Sequence, residues 1–318
     1  MTVWLYAGLG LLILLLAGDS LVKGAVNLSL RVGIPALIVS LTIVAFGTSA
    51  PELLIAINAV IEQKAGLALG NVVGSNTANV LLVLGLPAIL SVVHTSHCDS
   101  RKTYSHMIFA TVLFIALAFR GIFDVWAAIV LLAALSYMLF DAARDAHRHR
   151  KASCSAAATE ADEVEGADPD MPWWQIIMFL VLGLIGLPLG ADLLVDNASI
   201  IARQYGVSDA IIGLTLVALG TSLPELATTV MAALRKQADV ALGNVIGSNM
   251  FNLLAIIGVA ALIGPIPVDA EFLRFDLWVM LAASLVLIPF VFWKWDIGRI
   301  WGVGFSAAYL IYIAVLLI

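Results

Sequence analysis

Two glutamates lie in matching motifs inside apolar stretches of the sequence. The letters GTSAPE at residues 47–52 return as GTSLPE at residues 220–225, so Glu52 and Glu225 are 173 residues apart. The proline of each motif lacks a backbone N–H and crowds the carbonyl four residues earlier, which frees backbone carbonyl oxygens. Carboxylate, hydroxyl and carbonyl oxygens together suit Ca²⁺ or Na⁺ better than a transition metal. The two motifs therefore predict a cation site.

The same residues also have a purely structural interpretation. Ser49 with Glu52, and Ser222 with Glu225, fit a capping box at the start of a helix. A cap does not require a charge, because glutamine serves as well, and a carboxylate at the bilayer centre costs at least roughly 2.5 kcal/mol. We therefore expect both glutamates to bind a cation, whether or not the serines also cap. Their two negative charges balance one Ca²⁺ ion.

A second polar block repeats with the same offset. GNVVGSN at residues 70–76 returns as GNVIGSN at residues 243–249, and another asparagine follows three residues later in each copy. The glycines, spaced by four, favour close helix packing. A serine and an asparagine four residues apart share one helix face, which predicts neutral oxygen ligands at Ser75, Asn79, Ser248 and Asn252. Interhelical hydrogen bonding is at least as well supported for the other four asparagines, which are Asn71, Asn76, Asn244 and Asn249.

The chain that must position these motifs has the composition of a membrane protein. Of its 318 residues, 62% are hydrophobic and 12% are charged, whereas about 25% are charged in soluble domains. This excludes a soluble globule and a disordered chain, and the net charge of −6 excludes a basic nucleic-acid binder. At about 20 apolar residues per crossing, we predict an all-α polytopic protein. Its ten transmembrane helices are expected near residues 4–22, 34–60, 66–93, 104–120, 124–142, 172–194, 207–233, 239–264, 275–293 and 299–318.

The two halves of the chain are related by an internal repeat. Residues 33–85 match residues 206–258 at 25 of 53 positions without a gap. Five predicted spans separate equivalent points, and because five is odd, the second half enters the membrane with opposite polarity. Such inverted repeats are typical of transporters with a site near the midplane. We predict a first five-helix repeat at 1–143, a cytoplasmic linker at 144–171 and a second, inverted repeat at 172–318.

The distribution of basic residues predicts the orientation. Of 16 Lys and Arg residues, twelve fall in loops on one side of the predicted membrane and four on the other. By the positive-inside rule, both termini lie outside the cell membrane and the central loop lies in the cytoplasm. Cys98 and Cys154 then lie on the reducing side as free thiols.

Two other classes of function fit the sequence less well. All five histidines fall in or beside predicted cytoplasmic loops, so a metalloenzyme within the membrane lacks a base, and we predict no enzymatic activity, catalytic residue or bound cofactor. An ion channel is disfavoured by the inverted halves and the doubly negative site. Nothing indicates an obligate protein partner.

The paired blocks, G-T-S-x-P-E followed by G-N-x-x-G-S-N, resemble the alpha-repeats of the cation/calcium antiporter superfamily, specifically the prokaryotic-type sodium/calcium exchangers. The resemblance implies antiport of Na⁺ against Ca²⁺ by alternating access, directed towards Ca²⁺ extrusion, with the two ions and the lipid bilayer as partners. It implies that Glu52 and Glu225 bind Ca²⁺ and also Na⁺, aided by the backbone carbonyls of Thr48 and Thr221. The Na⁺ ligands that it implies are Ser49, Ser75, Ser222 and Ser248 with the carbonyls of Ala45 and Ala218, and the central polar positions are Asn79 and Asn252.

Some positions bear on the coupling ion. Several relatives, including potassium-dependent exchangers, have Asp where this chain has Asn252, so potassium co-transport is disfavoured. The proton/calcium branch has Glu in its second block where this chain has Gly74 and Gly247, which favours Na⁺ over H⁺. A Ca²⁺/H⁺ antiporter, or one exchanging another cation for H⁺, stays open as the alternative.

Overall fold

The described residues of this computed structural model, 2–153, 168, 170–206 and 218–316, are almost entirely helical. Among them, seven helices are long and apolar enough to cross a membrane. An eighth candidate is a pair of helices, Ala36–Thr48 and Ala50–Ile61, bent by 44° at their junction. The seven are Thr2–Val32, Gly66–Leu90, Val125–Arg148, Trp173–Gln204, Ala238–Ile263, Phe272–Phe292 and Arg299–Leu316.

Two of the ten predicted spans do not meet these criteria. The span at 104–120 corresponds to the helix Arg101–Ala118, which begins with two basic residues. The span at 207–233 overlaps the apolar helix Leu223–Leu234, which has only 12 residues, and residues 207–217 lie outside the described residues. The count of ten, and with it the division into two five-helix repeats, therefore stays a prediction.

The helices are numbered in chain order. In the first half they are α1 Thr2–Val32, α2 Ala36–Val39, α3 Ala45–Thr48, α4 Ala50–Ile61, α5 Ala65–Ala78, α6 Gly85–Leu90, α7 Arg101–Ala118 and α8 Val125–Ser153. In the second half they are α9 Trp173–Gln204, α10 Ala218–Gly220, α11 Leu223–Leu234, α12 Ala238–Met250, α13 Ile257–Ile263, α14 Leu277–Leu285, α15 Ile288–Phe292 and α16 Arg299–Leu316. Short non-α turns lie between some of them, with a 3₁₀ turn at Thr95–His97 and π-helical turns at Ser40–Val44, Asn79–Val83, Phe251–Ile256 and Phe272–Asp276.

Helices α1 and α9 are the longest, and they pack against each other along their length. With 31 and 32 residues, each extends about 47 Å at 1.5 Å per residue, which exceeds the roughly 30 Å hydrocarbon core. Glycines allow their backbones to approach. A methyl group in place of the Gly10 hydrogen would lie 2.6 Å from the backbone nitrogen of Leu194, and one on Gly183 would lie 2.5 Å from Leu21 Cβ. Any larger side chain at these glycines would separate the two helices.

The helices that carry the second polar block form the centre of the bundle. In both Gly66–Leu90 and Ala238–Ile263, 78% of the most apolar stretch is buried, compared with 22% in α16. The peripheral helices instead expose their apolar side chains, as expected for surfaces that face lipid. The polar residues of α5 and α12 are therefore surrounded by protein.

Two short backbone pairings join loops of the two halves. Strand β1, Ile122–Phe123, pairs antiparallel with strand β2, Ile266–Pro267. A single bridge joins Val93 to Ile297. Val93 and Ile266 are themselves 173 residues apart, so the sequence repeat has a counterpart in these contacts.

Candidate cation site

Each glutamate is the third residue of a helix that follows a break in the chain. Ser49 precedes α4 with φ −85° and ψ 5°, and Ser222 precedes α11 with φ −86° and ψ 1°. The proline is the second residue of each helix, where its missing N–H costs nothing. Both carboxylates therefore lie in a first helical turn, where unpaired backbone N–H groups favour negative charge.

Neither serine caps its helix with its side chain. No side-chain cap hydrogen bond is made at the start of α4 or of α11. The Ser49 hydroxyl instead donates to Oε1 of Glu225 at 3.1 Å. This contact joins the first motif to the carboxylate of the second, so the two motifs contribute to one shared site.

Most of the predicted ligands are buried in the protein interior. Glu52 is 1% exposed and Glu225 is fully buried. Thr221 is partly buried, and the described part of Ala218 is its backbone at the start of α10. The other buried members are Ala45, Thr48, Ser49, Ser75, Asn79, Ser222, Ser248 and Asn252.

Hydroxyl groups from both halves surround Glu225. Besides Ser49, the Ser248 hydroxyl donates to the same Oε1 at 3.4 Å. Ser248 Oγ also lies 3.4 Å from Oγ1 of Thr48. One oxygen of Glu225 thus has two donors, and within the described chain its other oxygen, Oε2, has no hydrogen-bond partner.

Glu52 has no such donors. Among the described residues, neither of its carboxylate oxygens has a hydrogen-bond partner, and the same holds for the amide oxygens of Asn79 and Asn252. The Ser49 contact also brings the start of the Glu52 helix to the Glu225 carboxylate, and two negative charges in a low-dielectric interior repel each other. Buried oxygens without partners are costly, and a bound cation would satisfy them. The donor set, two carboxylates with neutral oxygens, fits Ca²⁺ or Na⁺ as the transported substrate.

Two asparagines of the second block bridge the halves. Asn76 Nδ2 donates to the backbone oxygen of Asn249, and Asn249 Nδ2 donates to that of Asn76, both at 3.4 Å. The Asn76 amide nitrogen also lies 3.8 Å from the Met280 sulfur, and the Asn249 amide nitrogen lies 3.8 Å from the Met107 sulfur. Asn249 Oδ1 further accepts from Nδ2 of Asn79 at 3.1 Å. These contacts support an interhelical hydrogen-bonding role for Asn76 and Asn249.

Asn244 holds the helix of Glu225 in place. Its Nδ2 donates to the Glu225 backbone oxygen at 3.3 Å and to Thr229 Oγ1 at 3.1 Å, while its Oδ1 accepts from the Thr48 hydroxyl at 3.3 Å. Thr229 is not among the residues predicted for the site. Its spacing of four residues from Glu225, which places both on one face of α11, is the signal that could have identified it.

No other cluster in the described chain resembles a metal site. Among the described residues, no group of three or more His, Cys, Asp and Glu side chains could hold a metal ion. Asp19 of α1 forms an ion pair with Arg235. The two glutamates and their neutral neighbours are therefore the site that the geometry favours.

The sequence matches a known family and several of its members. Residues 2–140 and 175–318 match the sequence profile of a protein family described as sodium/calcium exchanger protein. The sodium/calcium exchanger MaX1 of Methanosarcina acetivorans is 34% identical, with 97% of this chain and 96% of that protein covered. The inner membrane protein YrbG of Escherichia coli is also 34% identical, with 96% of this chain and 94% of that protein covered.

Solved structures match over the whole chain as well. The sodium-calcium exchanger NCX_Mj, soaked with Na⁺ and Sr²⁺, superimposes with a TM-score of 0.82 at 31% identity and covers 99% of this chain and 98% of its own. The same exchanger soaked without Na⁺ and Ca²⁺ gives a TM-score of 0.81 at 32% identity, covering 98% and 97%. The two proteins share one fold from end to end.

Proposed function

The chain belongs to the sodium/calcium exchanger family, and on that premise we propose that it exchanges Na⁺ for Ca²⁺ by alternating access. It is a multi-pass membrane protein of a family of cation/Ca²⁺ antiporters. One observation carries the proposal for its own site. Two glutamates, Glu52 and Glu225, are buried in an apolar bundle, and three of their four carboxylate oxygens have no hydrogen-bond partner in the described chain.

Competition for these carboxylates couples the two ions. One Ca²⁺ balances the two negative charges, and Na⁺ ions bound at the same oxygens would balance them as well. Because the charges cannot be satisfied twice in a low-dielectric interior, Ca²⁺ and Na⁺ exclude each other. The neutral oxygens complete the two coordination shells. We assign this role to the carbonyls of Ala45, Thr48, Ala218 and Thr221 and to the side chains of Ser49, Ser75, Ser222, Ser248, Asn79 and Asn252.

We propose that residues 1–143 and 172–318 form two inverted five-helix repeats joined by a linker at 144–171. The reciprocal contacts of Asn76 with Asn249 support this arrangement, because equivalent residues meet at a common centre. Inverted repeats allow the same site to open to either face. The distribution of basic residues supports external termini and a cytoplasmic linker. An inward Na⁺ gradient would drive Ca²⁺ out of the cell.

Sodium is the favoured coupling ion. Gly74 and Gly247 occupy the positions at which the proton-coupled branch carries glutamate, and MaX1 is itself a sodium/calcium exchanger. Proton coupling is the second candidate, because a buried carboxylate without hydrogen-bond partners, such as Glu52, can bind a proton in place of Na⁺. A Ca²⁺/H⁺ antiporter would use the same glutamates.

Flux measurements in proteoliposomes separate these two functions. The purified protein is reconstituted, and uptake of radioactive Ca²⁺ is followed with an outward gradient of Na⁺, K⁺ or H⁺ imposed separately. We expect Ca²⁺ uptake when the Na⁺ gradient is imposed and no uptake when a K⁺ or H⁺ gradient is imposed instead. Uptake that a pH gradient drives equally well in the absence of Na⁺ would overturn Na⁺ coupling in favour of H⁺.

A further inference from the structure

The two long helices dock differently on the helices that carry the glutamates. Helix α1 packs closely on α11, which bears Glu225. A Cβ on Gly18 would lie 3.0 Å from the carbonyl carbon and oxygen of Ala227. The offset of 173 residues relates α1 to α9 and α11 to α4. In the described chain, α9 does not pack on α4 in this way, so the two halves have different conformations.

An ion pair spans the contact between α1 and α11. Asp19 Oδ1 lies 2.5 Å from Nε of Arg235, and Asp19 Oδ2 lies 2.9 Å from its Nη2. The two side chains are 30% and 21% exposed. A two-point contact between guanidinium and carboxylate fixes orientation as well as distance. It therefore holds α1 to the end of the helix that begins with Glu225.

The repeat does not preserve this ion pair. The offset places Asp192 of α9 at the position of Asp19, but it places Glu62 at the position of Arg235. Glu62 is exposed and pairs with Lys64 at 2.9 Å. If α9 docked on α4 as α1 docks on α11, two carboxylates would approach each other and repel. The contact of α1 with α11 is thus electrostatically attractive, and an equivalent contact of α9 with α4 would be repulsive.

We propose that Arg235 is a positioning residue that, through Asp19, holds α1 on α11 and so favours one of the two access states. The inference rests on the proposed function, because alternating access in an inverted repeat exchanges the conformations of the two halves. Arg235 is not among the predicted ligands of either ion. It changes the ratio of the two states by about three- to tenfold, the range expected for a partly buried, two-point ion pair.

Spin-label distances measure this ratio without relying on transport. Labels are placed at Thr2 on α1 and Asn58 on α4, with Cys98 and Cys154 replaced by alanine, and distances are recorded by double electron–electron resonance. Arg235→Gln is expected to transfer population from the wild-type distance to a second one. Lys236→Gln removes the same charge from the neighbouring exposed residue and is expected to leave the distribution unchanged.

Two further variants reverse or restore the effect. Glu62→Arg gives Asp192 a partner and is expected to increase the second population although Asp19 and Arg235 are intact. The exchanged pair, Asp19→Arg with Arg235→Asp, is expected to restore the wild-type distribution. If Arg235→Gln does not fold, as judged by thermal unfolding, Glu62→Arg at its exposed position decides the question.

The failures of the two proposals are distinguishable. Distances for Arg235→Gln that equal those of the wild type, or a Glu62→Arg variant that favours the original population, would overturn the role of Arg235. Absence of Na⁺-driven Ca²⁺ uptake by the wild-type protein would instead overturn the proposed function, and the distances would still report on the ion pair.

Discussion

Glu52 and Glu225 lie at the same position of the same motif, yet their surroundings are unequal. Glu225 accepts hydrogen bonds from Ser49 and Ser248, and Asn244 fixes its backbone. Glu52 has no hydrogen-bond partner for its carboxylate among the described residues. In this conformation, hydrogen bonds therefore position the Glu225 carboxylate, whereas the Glu52 oxygens need a bound ion as their partner.

Part of this inequality arises because the two copies of the repeat have different residues around the glutamates. Asn244 donates to Thr229, but the offset places Ala56 at the position of Thr229 and Asn71 at that of Asn244. The Asn71 amide nitrogen correspondingly has no hydrogen-bond partner in the described chain. The contrast between Arg235 and Glu62 follows the same pattern. A symmetric motif thus supplies two equivalent ligands, and the residues around it make the halves unequal.

The largest effect is expected from neutralising either glutamate. Glu52→Gln and Glu225→Gln each leave one charge to bind a divalent ion, and losing one partner of a buried charge interaction costs about 3–5 kcal/mol. We expect Na⁺-driven Ca²⁺ uptake in proteoliposomes to fall by at least about 100-fold in both, because 1.4 kcal/mol corresponds to a factor of ten. If the unequal surroundings outweighed the shared charge, one variant would retain transport.

Glu271→Gln is the matched control for these variants. Glu271 is exposed and lies just before the π-helical turn Phe272–Asp276, so the same chemical change there is expected to leave uptake at the wild-type rate. Thermal unfolding and gel filtration confirm that each protein is folded. A loss of uptake in the control would show that the assay reports something other than the site.

A smaller effect is expected from the support of Glu225. Thr229→Val keeps the shape of the side chain but removes the hydroxyl that Asn244 contacts. We expect the apparent affinity for Ca²⁺ to weaken by about three- to tenfold, the range of one to two hydrogen bonds, with little change in the maximal rate. The measurement is the dependence of Na⁺-driven uptake on Ca²⁺ concentration.

Two conservative substitutions test whether the hydrogen bond to the asparagine, rather than packing, accounts for the difference between the halves. Thr229→Ser retains the hydroxyl and is expected to behave as the wild type. Ala56→Ser offers the Asn71 amide an acceptor at the equivalent position, and we expect it to maintain or strengthen Ca²⁺ affinity. Equal weakening by Thr229→Val and Thr229→Ser would show that packing, rather than the hydrogen bond, is the relevant contact.

The components of the candidate site were predictable from the sequence because their signals are local. Glu52 and Glu225 stand out as charges in apolar stretches, and the prolines predict the helix breaks that the structure has at Ser49 and Ser222. The spacing of four residues also predicted that Ser75 shares a helix face with Asn79, and Ser248 with Asn252. Each of these inferences needs only neighbouring residues and the geometry of a helix.

Contacts between distant segments were not predictable in this way. The Ser49 hydroxyl binds the carboxylate of the other half rather than its own helix, and Asp19 lies 216 residues from Arg235. Nothing in the local pattern of either residue identifies such a partner. The count of ten spans stays a prediction, because α7 begins with two basic residues and the predicted span at 207–233 lies partly outside the described residues.

Direct binding tests the central claim, that Glu52 and Glu225 form one site for which Ca²⁺ and Na⁺ compete. Purified protein is titrated with Ca²⁺ by isothermal titration calorimetry, with and without Na⁺, in the wild type, in Glu52→Gln and in Glu225→Gln. We predict Ca²⁺ binding that Na⁺ displaces in the wild type and no detectable Ca²⁺ binding in either variant. Ca²⁺ binding of wild-type affinity in either variant, or binding that Na⁺ does not displace, would contradict the account.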